Sequence, residues 1–100
     1  MKLYHGSYKK IDKFISGSPM WFSSVFEDTK KAFAAQDDSN NGFIYQIDID
    51  DFETTSDFML FHGGEIFNHT NANVVKMQSN DIDNNWFVIK DINKFKIIQL

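Results

Sequence analysis

The stretch GFIYQIDI, Gly42 to Ile49, constrains the fold more than any other part of the chain. Phe43, Tyr45, Ile47 and Ile49 alternate with Ile44, Gln46, Asp48 and Asp50, and a period of two is the signature of an extended strand with one buried face. The polar run from Asp37 to Gly42 ahead of it ends in Asn-Gly and reads as a loop. Other apolar runs are short in the same way. Lys2 to His5 reads as a strand that Gly6 breaks, Ile11 to Ile15 as a short apolar patch before turn residues Ser16 to Pro19, and Met20, Trp21 and Phe22 as a brief strand. Ser24 with Glu27 three residues later forms a capping box and predicts a helix through EDTKKAFAAQ, with Glu27 and Asp28 in its first turn and Phe26 and Phe33 on one face.

Beyond the strand from Phe43, Asp51 to Asp57 is polar, FMLF is apolar, and Gly63 and Gly64 interrupt a section of short pieces reaching Asn73. Asn73 to Gln78 reads as a strand, NDIDNN as a turn, Trp86 to Ile89 as a strand apolar on both faces, DINK as a turn, and Phe95 to Gln99 as a last strand. Strands outnumber helices and the two are mixed along the chain, which predicts an α+β domain rather than alternating βαβ units. One hundred residues with a single proline and no low-complexity gap make one domain over residues 1–100, and eleven phenylalanines supply large side chains for its core.

Charge and composition narrow the function classes. Ten basic against fourteen acidic residues leave a net charge of −4, the wrong sign for a protein whose main task is gripping phosphate backbones. There is no cysteine, hence neither a disulfide framework nor thiolate chemistry. Without a leader-like apolar run after Lys2 or a segment of membrane-spanning length, the reading is a cytoplasmic protein with no membrane partner.

Most short motifs fail on their own chemistry. His62, Glu65 and His69 would share a helical face and offer a zinc-like ligand set, but Gly63 and Gly64 weaken any helix there, so no metal is assigned. DIDDFE and DIDNNW resemble starts of calcium loops, yet the sixth residue counted from Asp81 as the first is Trp86 and that counted from Asp48 is Glu53, where the turn needs glycine. No G-x-S-x-G elbow is present, and Asn68 to Thr70 matches a glycosylation acceptor only by its three letters. The opening pair is different. A glycine directly after a strand histidine lets a ligand approach the backbone closely, because no Cβ stands in its way; the plain alternative is that His5 packs and Gly6 turns.

LYHGSYKKIDKF, PMWFSSVFEDTKKAFAA, GFIYQIDI and NNWFVIKDINKFKIIQL, in that order, resemble the ADP-ribosyltransferase superfamily of the histidine-tyrosine-glutamate type. Its members begin with a strand bearing YHG and S or T, continue to a YF strand leading into an Ala-rich helix, then an aliphatic strand, and close with a strand, a short turn and a last strand. The resemblance covers the chain outside about residues 51–72, and in size and in HGSYKKI it is nearest to small phage-encoded members that act as anti-CRISPR proteins. It implies a split β core with one main helix after the second core strand, NAD as co-substrate, and mono-ADP-ribosyl transfer to a host macromolecule, a protein before a nucleic acid.

Residue by residue, the resemblance implies that His5 bonds the adenosine-side ribose of NAD, Gly6 offers backbone groups to the nicotinamide amide, and Ser7 sits beside them. Trp21 stands where an aromatic stacks on the nicotinamide ring and Phe22 where the next residue packs inside. The family's late carboxylate has Gln78 near its place, with Asp81 and then Asp83 as the nearest acids; Asp81 is the candidate that would stabilise the developing positive charge. The alternative is a catalytically inactive binding protein on the same scaffold, blocking a host partner or sequestering a nucleotide, with Asp37, Asp38, Asp48, Asp50 and Asp51 as its acidic face. An RNA 2′-phosphotransferase of the same superfamily would need basic residues for its substrate, and the chain contains no arginine.

Overall fold

The computed structural model describes residues 1–7, 10–14, 19–29, 42–62, 65–78 and 85–100. Seven strands, β1 (Lys2–Ser7), β2 (Met20–Ser23), β3 (Phe43–Asp48), β4 (Glu53–Thr55), β5 (Val74–Met77), β6 (Trp86–Ile89) and β7 (Ile98–Gln99), form one sheet in the order β4-β5-β6-β2-β1-β3-β7. Every neighbouring pair is antiparallel except β4 with β5. Two short helices, α1 (Phe26–Thr29) and α2 (Phe58–His62), and 3₁₀ turns at Glu65–Asn68 and Ile92–Lys94 complete the described elements. The architecture is a small mixed sheet with few helices, of the α+β kind, and none of its described helices is long and apolar enough to cross a membrane.

The sheet is zipped unevenly. β1 pairs with β3 over six residues and β2 with β6 over four, whereas β1 meets β2 only at Tyr4 and Ser23. Two well-paired halves, β4-β5-β6-β2 and β1-β3-β7, are therefore joined at a single residue pair. All seven strands belong to one continuous sheet, and β1 with β2 is its least extensively paired neighbouring pair.

Register assigns the faces, since directly paired residues point the same way and successive residues alternate. Leu3, Phe22, Ile47, Phe87, Ile89 and Val74 build one buried cluster, closed over by Phe14, Phe52, Phe95 and Ile97. Val75, Met77 and Val88 face the opposite way and pack with Phe61 of α2 and with Ile66 and Phe67 of the following 3₁₀ turn. β6 lies between both clusters, and Phe87, Val88 and Ile89 are all fully buried, which accounts for its apolar residues on both faces.

Several elements differ from the sequence reading. β1 runs through Gly6 to Ser7, because both residues pair with β3, opposite Ile44 and Phe43; glycine here continues the ladder instead of ending it. The polar segment Asp51 to Asp57 contains β4, whose Glu53 and Thr54 are exposed at the sheet's edge and so carry no apolar alternation. DINK is a 3₁₀ turn in which the Asp91 carboxylate accepts from Asn93 N at 3.1 Å and Ile92 is buried. The last strand is confined to Ile98–Gln99, as Phe95 N closes the 3₁₀ turn on Ile92 O and Phe95 and Ile97 pack onto the first cluster. At the entrance to α1, Ser23 Oγ accepts from Val25 N at 3.1 Å, while Ser24 N donates to Asn85 O at 2.9 Å. Helix is described only over Phe26–Thr29; the remainder of EDTKKAFAAQ, with Phe33, lies outside the described residues.

Truncating Phe87, which is 0 % exposed, should lower the free energy of unfolding by about 3–5 kcal/mol, from lost burial plus the cavity left behind. Met59→Ala, at a side chain 76 % exposed, should stay within about 0.5 kcal/mol of the parent. Urea unfolding of the two variants checks both values.

Candidate functional site at the seam

The seam brings the sequence-predicted residues together, and the direction of the backbone groups follows from the ladders. Ile49 N donates to Met1 O at 2.8 Å, so the odd-numbered residues of β1 turn their N–H and C=O toward β3. Tyr4 and Gly6 then turn theirs toward β2. Tyr4 meets Ser23 there, but Gly6 lies past the last paired residues, and the residue facing it across the seam is Trp21. Gly6 is buried, so its N–H and C=O face this opening away from bulk water, with no side chain to obstruct a planar group.

His5 bridges the gap where the ladder stops. Its Nδ1 lies 2.6 Å from the carbonyl oxygen of Trp21. A carbonyl can only accept, so Nδ1 carries the proton, and a neutral ring then presents Nε2 as an acceptor. Burial pushes the imidazole pKa down from its ordinary value of 6.5, partly opposed by the bond to the Trp21 carbonyl, and this favours the neutral form. The ring sits 5.3 Å from that of Phe22, which is fully buried beneath it.

His5 and Phe22 occupy one face of the sheet, Gly6 and Trp21 the other. The structure thus joins His5 to Trp21 through the main chain, across the seam, and not by two side chains on a common surface. On its own face the Trp21 indole meets two consecutive residues of α2: Phe61, with ring centroids 4.6 Å apart at 86°, and His62, at 5.6 Å and 63°. Phe61 is buried, His62 exposed and Trp21 half-buried, so the indole is seated on the helix with part of it open. His62 is the residue that sequence reasoning missed here. The sequence had singled it out only as a metal-ligand candidate with Glu65 and His69; what places it beside Trp21 is its position at the last residue of α2.

Ser7 is half-buried at the end of β1, opposite Phe43. Gln78 is exposed just past β5, its N–H bonded to Thr55 O at 2.8 Å. Asp81 and Asp83, and likewise Asp37 and Asp38, fall outside the described residues. Among the described residues no three histidine or acidic side chains converge to hold a metal ion, and His62, Glu65 and His69 belong to two separate elements, α2 and the 3₁₀ turn with its flank. An open depression of about 530 Å³ lies away from the seam, between Asp50, Phe52, Glu53, Asn73 and Phe95.

Compared with protein-family models, curated proteins and solved structures, the chain matches none of them.

The lowered pKa of His5 carries a signed prediction. Where pH lies between the folded value and 6.5, the unfolded chain binds more protons than the native one, so stability falls as the solution is acidified through that window. The contribution of His5 is complete above about 6.5 and is lost as pH drops through its lowered folded value. Urea unfolding at several pH values between 7.5 and the carboxylate range should show a steeper decline for the parent than for His5→Gln; parallel curves would contradict the assignment.

Proposed function

We propose that the seam is an NAD site and that the protein is a mono-ADP-ribosyltransferase acting on a host protein. The observation that carries this reading is the parting of β1 from β2 immediately after Tyr4 and Ser23, where the buried Gly6 backbone and the Trp21 indole share one face and the His5 imidazole, on the other face, reaches the Trp21 carbonyl across the seam. A primary carboxamide carries an N–H donor and a C=O acceptor side by side, the complement of the Gly6 C=O and N–H. An indole face attracts a cationic planar ring, and a neutral imidazole accepts from a ribose hydroxyl. These are the three groups that the nicotinamide half of NAD and its riboses present.

The resemblance in sequence lends a second support. The segments that carry it fall on β1, β2, β3, β6 and β7, and these five strands are consecutive in the sheet, in the order β6-β2-β1-β3-β7. The residues outside the resemblance supply β4 and α2, at the edge and on one face.

In the transfer, the bond between ribose C1 and the nicotinamide nitrogen breaks, nicotinamide leaves as a neutral molecule, and a nucleophile of the target bonds to C1 and gives up its proton. The chain's part is to hold: Gly6 fixes the amide, Trp21 the ring and His5 a hydroxyl, so catalysis is chiefly positioning and charge stabilisation. Asp81 is the proposed acid for the developing positive charge.

A second reading, a binding protein that has lost transfer, is favoured by Gln78 standing where the family has its carboxylate and by Asp50 and Asp51, both exposed at the rim of the open depression. Asp48 adds less to such an acidic face than its formal charge suggests, because the Met1 ammonium lies 3.0 Å from its carboxylate.

Incubating the purified protein with labelled NAD and a lysate of its host should label a discrete protein. His5→Ala and Trp21→Ala should each cut that labelling by about a hundredfold while circular dichroism stays unchanged, in keeping with loss of a positioning group. Loss with Asp81→Ala assigns the acid. No labelling together with saturable quenching of tryptophan emission by NAD supports the binding protein; full labelling in both the His5 and Trp21 variants refutes the site.

A further inference from the structure

The open depression of about 530 Å³ lies apart from the seam and has two unlike walls. One, leading into β4, carries Asp50, Asp51 and Glu53, all exposed; the other, after β6, carries Lys94 and Phe95. The floor between them is apolar, since Phe52 and Phe95 are each half-buried against the first cluster and so remain partly open to the depression. Both walls are tied down. The Asn73 side chain donates from Nδ2 to Asp91 O at 3.0 Å and accepts from Asp91 N at 2.8 Å, which fastens the 3₁₀ turn of Lys94 to the start of β5. Opposite, Asp51 Oδ1 accepts from Phe52 N at 2.9 Å and Glu53 Oε2 from the Thr70 hydroxyl at 2.5 Å.

These carboxylates are held without being neutralised. Both donors are uncharged, a carboxylate accepts about four hydrogen bonds, and among the described residues the one ion pair is that of Met1 with Asp48. Nor do the three acids converge on a point that a metal ion could occupy. Spread along one wall above an aromatic floor, they suit an extended organic cation with a flat face and donors at its edge. We propose that the depression docks an arginine side chain carried by a basic segment of a partner protein. Its stem and guanidinium plane would cover the open parts of Phe52 and Phe95, and its fork would donate to the carboxylates beside them. Lysine fits less well, being a compact point charge with no plane to lay on a ring. Lys94 is the one cation in the lining; Lys76, whose ammonium lies 6.0 Å from the Phe52 centroid, does not belong to it, so the guest meets three anions against one cation. A transferase must hold its target and a binding protein its partner, so the inference rests on neither reading of the seam.

NMR titration of the isotope-labelled full chain with a Gly-Ser peptide bearing Arg-Gly-Arg, and with the same peptide carrying citrulline for arginine, separates charge from shape, because citrulline keeps the stem and the plane but is neutral. The arginine peptide should shift the amides of residues 50–53 and 94–95, and the citrulline peptide should bind about fivefold more weakly. Asp50→Asn combined with Asp51→Asn, at two exposed side chains, should weaken the arginine peptide about fivefold, whereas Lys94→Gln should tighten it about twofold, the sizes expected for partly screened pairs. No shifts, shifts elsewhere on the chain, equal affinity for the two peptides or indifference to the acid variant would each overturn the inference, and free spermidine binding as tightly as the arginine peptide would overturn its assignment to a protein segment. NAD added to the same samples reports on the seam separately: parent and acid variant should respond alike, and no response in either would overturn the NAD reading while leaving the docking site standing.

Discussion

The ladder between the two halves of the sheet comes down to one residue pair, Tyr4 with Ser23, and side chains make up the rest of the join. A strand that leaves its neighbour exposes main-chain donors and acceptors, and burying them unpaired costs about 1–3 kcal/mol each. The chain meets part of this demand with a side chain: the Trp21 carbonyl, turned to the seam, takes the Nδ1 proton of His5 in place of a ladder bond. The same contact fixes the tautomer of the imidazole. A histidine that closes a gap in a sheet is thus also a histidine with a defined acceptor nitrogen, so its structural and chemical roles come from one geometry.

Packing crosses the seam on the His5 face. Leu3 of β1 and Ile47 of β3 share a buried cluster with Phe22 of β2 and Phe87 of β6, whereas on the Trp21 face Phe61 packs with Val75, Met77 and Val88 of β5 and β6. Phe52 meets Phe87 edge-on at 5.3 Å, and the Lys76 ammonium lies 6.0 Å and 5.9 Å from the two ring centroids, so a long cationic side chain covers the aromatic edge on the side facing β4. Interiors packed this closely do not deform gradually. Parting the two halves further would require the cluster of Leu3, Ile47, Phe22 and Phe87 to repack.

What was legible in the sequence is what depends on local pattern. The alternation of GFIYQIDI became β3, the apolar run WFVI became the doubly buried β6, and MWF became β2. β4 was not legible because ETT lies at an exposed edge, where no apolar face is demanded, and its pairing partner is a distant segment in parallel register. Gly6 was read as a strand end because glycine carries no packing signal; its place in the ladder is imposed by Ile44 across the sheet. His5, Gly6 and Trp21 come close together at the seam, but the face each one takes was not legible, since it is fixed by inter-strand register and not by neighbours in sequence. His62 became visible only once α2 and β2 were in contact.

Register also fixes which residues lie at each end of the seam. Trp21 pairs with Val88 and Ser23 with Trp86, and Ser24 N bonds Asn85 O, so Asn85 lies three residues beyond the level of Trp21, roughly 10 Å along the strands. Continuing the pairing of Lys76 with Phe87 brings Gln78 to that same level. Gln78 and Asn85 therefore lie at the end of the sheet where β1 and β2 are still paired, while Gly6 and Trp21 lie on the other side of that pair, so the sheet's closed end and its parted end are defined by the same register.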